Sequence, residues 1–260
     1  MSRAELYAKK VHFGIPEQVE LNQIRRVLGQ HIKKDDRVLV LGATPELRSI
    51  ALELGCKVVS VDISLDMIQK REGNVTVKDH TKDVVARGNW LDMWFLDEHQ
   101  FSAVLADTSF NNVSFDDMVL LMKKLPQLLR PDGIILFRHL NLHNTISINK
   151  LVELYKTKKI TAKELVISLH LHKDLPRLYS NKRVHMIESF DAMISVLKKR
   201  HITGWLPKLL EAHKWDGYHM MVEEKEFHDV LNRLFGTFKK LVCKSVYYSS
   251  FHPLYLVIVR

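Results

Sequence analysis

Residues 18–140 alternate between two hydrophobic periods, and this alternation constrains the fold more than any other feature of the chain. Four short apolar or β-branched runs have the composition of buried strands, at 37–42, 57–64, 101–109 and 134–140. Segments with helical spacing precede or separate them, at 18–32, 45–55, 64–73 and 115–133. Strands that alternate with helices in this way predict an α/β fold with a doubly wound, mostly parallel sheet and right-handed crossovers.

The pattern changes after residue 140. Residues 146–235 contain several helical stretches, and no convincing buried strand interrupts them. Two strand-like segments, 239–249 and 253–260, end the chain, and the short link between them around Ser250 and His252 predicts an antiparallel pair. We therefore expect a core built from 1–140 and 238–260, and a helical insertion, 141–237, that covers the substrate as a lid.

The segment LGATPELRS, residues 41–49, follows the first strand and contains one glycine where nucleotide-binding loops usually carry two or three. Gly42 gives the freedom for a sharp turn, Thr44 suits the N-cap of the next helix, and Pro45 suits its first position. Glu46 complements the helix dipole but would repel a diphosphate. A ligand with an ammonium group is a better match for this loop than a dinucleotide.

Asp62 ends the second strand, twenty residues after Gly42. A carboxylate at this place can accept hydrogen bonds from both ribose hydroxyls of a nucleoside that lies across the strand ends. Asp62 could alternatively cap the helix that contains Met67. We favour the ribose interpretation, and with the loop it predicts an adenosine moiety without a diphosphate.

Five segments then occur in the order and spacing of a known family. They are VLVLGATPEL (38–47), VDIS (61–64), GNWLDM (88–93), ADTSFNN (106–112) and RPDGIILF (130–137). Over about residues 18–140 and the last two strands, the sequence resembles the class I S-adenosylmethionine-dependent methyltransferases. The resemblance implies a Rossmann-like fold, S-adenosylmethionine as cofactor and methyl transfer as the reaction. It does not extend to the helical insertion.

The resemblance also implies a set of cofactor contacts. Met67 stands where an apolar residue packs on adenine, Asn89 and Trp90 stand at the adenine edge and face, and residues 106–112 stand beside the transferred methyl group. The predicted cofactor-binding residues are Gly42, Ala43, Thr44, Glu46, Asp62, Ile63, Met67, Asn89, Trp90 and Asp107. The sequence departs from the family at Val40, where an acid is usual, and at Thr44 and Glu46, where further glycines are usual.

Asp107 and His139 are the candidate catalytic residues. Asp107 ends the strand whose following loop the resemblance places beside the transferred methyl group, and it could contact the acceptor. An acid at this position can also form a turn by bonding its own backbone. Asn111 and Asn112 have the same two interpretations. His139 and His143 follow the next strand, and either could serve as a base near neutral pH. We predict no metal site.

The formal charge of +9 is uneven, since residues 150–214 hold 14 Lys and Arg against 6 Asp and Glu. Such a segment can attract nucleic acid, anionic lipid or an acidic small molecule, but we favour amphipathic helices with solvated basic faces, because the charges are spread at helical intervals. We expect a small-molecule acceptor. The alternatives are an RNA methyltransferase, an enzyme that transfers or cyclises the aminocarboxypropyl chain of the same cofactor, and a catalytically silent binding protein.

Two cysteines, Cys56 and Cys243, lie in or beside apolar stretches without metal-binding spacing. We expect both to be buried and reduced, which favours an intracellular location. The sequence contains no run of about 20 apolar residues that would span a membrane and no apolar segment of a secretion signal at its start. These features predict a cytoplasmic protein.

Overall fold

The computed structural model describes residues 15–71, 74–77, 81–175 and 182–259, with only the backbone for 70 and 71. Its helices are α1 (Gln18–Gly29), α2 (Pro45–Glu53), α3 (Leu65–Arg71), α4 (Phe115–Leu128), α5 (Ile148–Lys156), α6 (Ala162–His170), α7 (Met186–Lys199), α8 (Trp205–Ala212) and α9 (Glu224–Phe235). Its strands are β1 (Arg37–Leu41), β2 (Lys57–Asp62), β3 (Asp83–Arg87), β4 (Phe101–Asp107), β5 (Leu129–Arg138), β6 (Asn141–Leu142), β7 (Arg183–His185), β8 (Tyr218–Met220), β9 (Val222–Glu223), β10 (Lys239–Leu241) and β11 (Leu254–Ile258). In the described part of the chain, Ser109–Asn112 and Tyr247–Ser250 form short 3₁₀ helices.

Within the described residues, seven strands form one sheet in the order β10-β11-β5-β4-β1-β2-β3. Strands β1 to β5 pair in parallel, and β11 is antiparallel to both β5 and β10. The predicted doubly wound α/β sheet with an antiparallel C-terminal pair is confirmed. Because Leu41 pairs with Val61 and with Ala106, the carboxyl ends of β1, β2 and β4 meet at one edge. Ligands bind at this edge in open α/β sheets.

The structure differs from the predicted strands in three respects. Strand β3 was not predicted, and strands β7, β8 and β9 interrupt the helical insertion as parts of two small sheets, β6-β9 and β7-β8. These strands have two to five residues, too few for a period to be read from the sequence. The third concerns the terminal strands: their connection is longer than expected, covers 242–253, and includes the 3₁₀ helix Tyr247–Ser250.

Residues 131–133, which the sequence places at the end of a helical segment, are part of an irregularity inside β5. Phe101 pairs with Leu129 while Ala103 pairs with Ile134, so four residues of β5 bulge out of the ladder. Asp132 has a φ of 61° there. The bulge lets one strand pair with β4 at both ends.

The sheet is buried on both faces. Leu39 and Leu41 face one apolar cluster, and Val38 and Val40 face the other. Helices α5 to α8 form a separate cluster from their own apolar residues. Helix α9 packs against the sheet, since its Phe227 belongs to the first cluster. The division into a core and a lid at 141–237 stays a proposal. Among the described helices, none has the length and apolar character needed to cross a bilayer.

The two cysteines differ in environment. Cys56 is buried, and burial raises the pKa of its thiol to about 11. Cys243 is half-buried, which corrects the expectation that both are fully inside. Both are free thiols.

A buried ion pair holds the edge strand β3 against α2. The Arg48 guanidinium donates from Nε and Nη2 to the two carboxylate oxygens of Asp83, at 3.2 and 2.6 Å. Both side chains are almost completely buried, with exposures of 0% and 1%. Removing one partner of such a pair leaves an uncompensated charge in the interior.

We predict that Asp83→Leu lowers the free energy of unfolding by about 3–5 kcal/mol, and that Arg48→Met in the same chain restores much of it. Urea denaturation measures both effects. The matched control is Asp35→Asn, which breaks the exposed Lys82–Asp35 pair, suits the backbone φ of 67° at this position, and should cost less than about 1 kcal/mol. An Asp83→Leu variant no less stable than the control would contradict this account of β3.

Candidate cofactor and active site

Gly42 forms the floor of the candidate cofactor site, directly after β1. Its φ of +104° lies in the left-handed region that favours glycine, and its N–H donates to the Val61 carbonyl at 2.8 Å. A Cβ at this position would lie 3.7 Å from the Trp90 ring and 3.8 Å from Asp62 Oδ2. The single glycine of the loop therefore stands where the backbone turns and three segments converge.

The helix after the loop begins as the sequence predicts. Thr44 is the N-cap residue of α2 and Pro45 occupies its first turn, although the Thr44 side chain makes no capping hydrogen bond. Glu46 follows in the first turn and is half-buried. The loop thus starts a helix without the second and third glycines of a dinucleotide-binding motif.

Asp62 lies opposite Gly42 at the carboxyl end of β2 and is 8% exposed. Its Oδ2 accepts a hydrogen bond from the Ala43 N–H at 3.0 Å, and its Oδ1 accepts one from the Ser64 N–H at 2.9 Å. Each carboxylate oxygen has two acceptor positions, so each keeps capacity for a further donor. The alternative interpretation of Asp62 as a helix cap is wrong, because the Ser64 hydroxyl accepts the Met67 N–H instead.

The residues predicted to contact adenine differ in exposure and in hydrogen bonding. Trp90 Nε1 donates to the Val61 carbonyl at 2.6 Å, which fixes the indole beside Gly42. Ile63 is 63% exposed next to Asp62. Met67 is half-buried on α3, and Asn89 is exposed, with its Oδ1 accepting the Leu91 N–H at 3.0 Å.

Asp107, at the end of β4, forms a buried ion pair. Arg138, at the end of β5, donates to its Oδ1 from Nε at 2.9 Å and from Nη2 at 2.8 Å. Arg138 also donates from Nη1 to Glu20 Oε1 on α1 at 3.0 Å, and the Tyr248 hydroxyl donates to Glu20 Oε2 at 3.0 Å. We call Asp107, Arg138, Glu20 and Tyr248 the Arg138 cluster.

Charge in this cluster is unbalanced, with two carboxylates on one guanidinium. Burial raises the pKa of Asp107, and the neighbouring carboxylates of Glu46 and Glu20 add to that rise against the opposing effect of Arg138. The carboxylates in turn raise the pKa of Arg138. Asp107 is therefore held by an ion pair in the interior, which makes it a group that shapes the site rather than a mobile base.

His139 is completely buried, and both of its ring nitrogens are hydrogen-bonded. Nδ1 lies 2.9 Å from Asn141 Oδ1, and Nε2 lies 3.3 Å from Asn111 Nδ2. The ring stacks on Phe227 with centroids 3.8 Å apart. Burial lowers the pKa of His139 to about 3 and that of His143 to about 4. This environment argues against either imidazole as the base near neutral pH that the sequence suggested.

Asn111 is a connector between three segments. Its Nδ2 donates to the carbonyls of Leu140 and Met220 at 3.1 and 2.8 Å, and its Oδ1 accepts the Leu140 N–H at 3.0 Å. Asn112 Nδ2 donates to the Thr108 carbonyl at 3.1 Å. Both amides hold the loop after β4 in shape, which supports their structural interpretation.

Sequence reasoning missed Arg138, Glu20 and Tyr248. Two of them carried a signal: Arg138 is a charge within the apolar run IILFRHL, and Glu20 lies one helical turn before Ile24 on the apolar stripe of α1. A charged residue in such a position is buried only when it is paired. The third, Tyr248, lies between β10 and β11 in a segment whose composition predicts a strand, so the sequence gives no signal for its role.

Comparison with known proteins identifies the core. Residues 40–137 match the family model described as a methyltransferase domain. No curated protein matches the chain. The resemblance to class I S-adenosylmethionine-dependent methyltransferases is confirmed over this region of the chain.

Solved structures share the fold at low sequence identity. A protein from Rhodobacter sphaeroides, described as a Zn-dependent alcohol dehydrogenase, is 17% identical with a TM-score of 0.61 over 100% of both chains. The 1,6-didemethyltoxoflavin-N1-methyltransferase of Burkholderia thailandensis is 14% identical with a TM-score of 0.53, over 98% of this chain and 84% of that one. An S-adenosylmethionine-dependent methyltransferase from Methanosarcina mazei is 13% identical with a TM-score of 0.51, over 89% and 94%. These likenesses concern the fold alone.

The buried histidines predict a pH dependence of stability. Burial lowers the pKa of His139 to about 3 and those of His143 and His170 to about 4, below the ordinary 6.5. Below pH 6.5 the unfolded chain binds protons that the folded chain excludes. The stability that these neutral rings contribute is therefore present above pH 6.5 and lost as the pH falls toward 4.

We expect the free energy of unfolding to fall by up to about 1.4 kcal/mol per pH unit for each such histidine between pH 6.5 and 4.5. Urea denaturation at pH 7.5, 6.5, 5.5 and 4.5 measures the slope, and His139→Leu should reduce it by one histidine's share. A stability that stays constant over this window would contradict the buried, neutral state of these rings.

Proposed function

We propose that this chain binds S-adenosylmethionine across the carboxyl ends of β1 and β2 and transfers its methyl group to a small-molecule acceptor. The observation that supports the binding mode most is the Asp62 carboxylate, whose two oxygens accept backbone N–H groups and keep acceptor capacity toward ribose hydroxyls. Gly42, beside it, leaves the space that a Cβ would fill. The residues present therefore fit an adenosine ligand.

Charge supports a cationic cofactor over a dinucleotide. Asp107 and Glu20 share the single guanidinium of Arg138, and the carboxylate of Glu46 is close enough to influence Asp107. An excess of negative charge in a poorly solvated place attracts a cation and repels a diphosphate. In this proposal Glu46 lies toward the ammonium group of the methionine part.

When bound, S-adenosylmethionine supplies an electrophilic methyl group on a sulfonium. The lone pair of the acceptor forms a bond to the methyl carbon as the sulfur–carbon bond breaks, which leaves a neutral thioether, and an acceptor N–H or O–H proton passes to a base or to solvent. The main work of the chain is to position the two reactants and exclude water. We assign the selection of the acceptor to the insertion, 141–237, and the site of action to the cytoplasm.

The first prediction from this proposal concerns Asp62. Replacing one carboxylate oxygen removes a charge-assisted hydrogen bond to the ribose, a loss of about 1.5–3 kcal/mol, so Asp62→Asn should weaken S-adenosylmethionine and S-adenosylhomocysteine binding by about 10- to 100-fold. Isothermal titration calorimetry measures both, with NAD as a ligand expected not to bind.

Asp92→Asn is the matched control, because Asp92 is an exposed acid in the neighbouring loop. It should bind the cofactor as the wild type does. A folded wild-type chain that binds neither cofactor form would overturn the proposal, and equal affinities for Asp62→Asn and Asp92→Asn would overturn the ribose assignment alone.

RNA is the second candidate acceptor, and one surface feature favours it. A hollow of about 520 Å³ beside α5 is lined by Lys156, Lys158, Lys159 and Tyr155. Lysines of this kind bind phosphates, and an aromatic ring can stack on a base. The three lysines lie on the exposed surface, and a phosphate contact made by them would be strongly salt-dependent.

We expect single-stranded RNA to bind weakly, to lose affinity steeply between 50 and 200 mM salt, and to receive no methyl group. Fluorescence anisotropy and transfer of radiolabelled methyl measure the two properties. Methylated RNA, with the label lost in a Lys156→Glu/Lys158→Glu/Lys159→Glu variant, would replace the small-molecule acceptor by RNA.

A further inference from the structure

His252 is a buried polar side chain that the fold leaves without hydrogen bonds. It is 1% exposed, and neither of its ring nitrogens has a hydrogen-bond partner among the described residues. Its backbone is well held, since its N–H donates to the Tyr248 carbonyl at 3.0 Å. A buried donor or acceptor without a partner carries a desolvation penalty, and each such group in a folded protein requires an explanation.

His139 provides the contrast within the same region. It is as deeply buried as His252, but its Nδ1 is hydrogen-bonded to Asn141 Oδ1 at 2.9 Å, and its Nε2 lies 3.3 Å from Asn111 Nδ2. The two imidazoles therefore differ in hydrogen bonding, although they are equally buried. Among the described residues, side-chain amides lie within hydrogen-bond distance of His139, and no polar group does so for His252.

His252 lies where the core, the insertion and α1 meet. Its electrostatic neighbours are Arg138 and His139 after β5, Lys163 on α6, and His219 on β8. Lys163 in turn donates to the Ile15 carbonyl at 2.7 Å, just before α1. The ring of Tyr248, a member of the Arg138 cluster, lies 6.2 Å from the His252 ring.

This position is the carboxyl edge of the sheet, next to the group that holds Asp107. Arg138 pairs with Leu254 across β5 and β11, the His139 N–H donates to the Pro253 carbonyl at 3.4 Å, and His252 directly precedes this pairing. Asp107 is on the loop that the methyltransferase resemblance sets beside the transferred methyl. The imidazole thus stands near the place that the proposed function requires for an acceptor.

The neighbours also determine the charge of the ring. Burial lowers the pKa of His252 well below its ordinary value, and the cations Arg138 and Lys163 lower it further. The ring is therefore neutral near pH 7, with one N–H donor and one nitrogen acceptor. A neutral imidazole can hold an N–H or O–H group and accept its proton.

We propose that His252 contacts the acceptor, and that its ring nitrogens bind the N–H or O–H group of the small molecule that receives the methyl group. This inference rests on the proposed function. As the acceptor heteroatom bonds to the methyl carbon and the sulfur–carbon bond breaks, the acceptor proton moves to the imidazole and later to solvent. Since His252 is 1% exposed, the acceptor reaches it when the insertion or the start of α1 moves aside.

The first test compares stability, because a ring kept for a ligand contributes little to the fold. Thermal unfolding of His252→Leu should occur at the wild-type temperature or above it, since leucine buries no unpaired nitrogen. His139→Leu is the matched control and should unfold at a lower temperature, because it leaves the buried Asn141 Oδ1 without its hydrogen-bond partner. A His252→Leu melting temperature reduced as far as that of His139→Leu would overturn the inference, as would failure of both His252→Leu and His252→Gln to fold.

The second test measures methyl transfer from radiolabelled S-adenosylmethionine to a panel of small amines, phenols and alcohols. The expected result is a labelled product with wild-type enzyme, a loss of at least about 100-fold with His252→Leu, and unchanged cofactor affinity. Equal turnover by wild type and His252→Leu would overturn the inference and leave the proposed function intact. Cofactor binding without any labelled product would count against the small-molecule proposal, and the stability comparison would then decide the status of His252.

Discussion

The buried guanidinium of Arg138 is the interaction on which the rest of the site depends. Asp107 and Glu20 both accept its hydrogen bonds, and Tyr248 completes the set through Glu20. Four separate segments of the chain thereby meet at one charge. Removing Arg138 would leave two carboxylates in the interior, which is far more costly than losing a surface pair. The end of β4, the end of β5, α1 and the connection before β11 are consequently fixed relative to one another.

This arrangement gives the carboxyl edge two chemically distinct halves. On the β1–β2 side, Gly42 and Asp62 present backbone space and a carboxylate suited to a nucleoside. On the β4–β5 side, two carboxylates share the guanidinium of Arg138, and the buried neutral ring of His252 lies near that guanidinium. A cofactor with a neutral adenosine end and a cationic end matches both halves in the order that the sheet presents them.

The sequence predicted the architecture well because hydrophobic period is a local property. The apolar runs at 37–42 and 134–140 contain β1 and the second half of β5, and their composition alone favours buried strands. Thr44 and Pro45 start a helix through their own backbone preferences. Strand β3 was not predicted because its two valines are flanked by charged residues. One of these, Asp83, is buried because it forms an ion pair with Arg48. Arg48 and Asp83 are 35 residues apart, so the local sequence around β3 does not reveal their pairing.

The roles of single polar residues were harder to predict for the same reason. Asp62 could be assigned from its distance to Gly42 along the chain, since both follow parallel strands. Asp107 and His139 carried the right residue types for catalysis, but their partners, Arg138 and Asn111, come from other segments and change what they can do. The orphaned ring of His252 is visible only once the packing of three segments around it is known.

The most direct test of this account is a crystal structure of the full chain grown with S-adenosylhomocysteine. The account predicts both ribose hydroxyls within hydrogen-bond distance of the Asp62 carboxylate, the adenine between Ile63 and Trp90, and the sulfur directed toward the loop after β4. A ligand bound elsewhere, or bound at this edge with its ribose away from Asp62, would contradict the central claim about how this fold holds its cofactor.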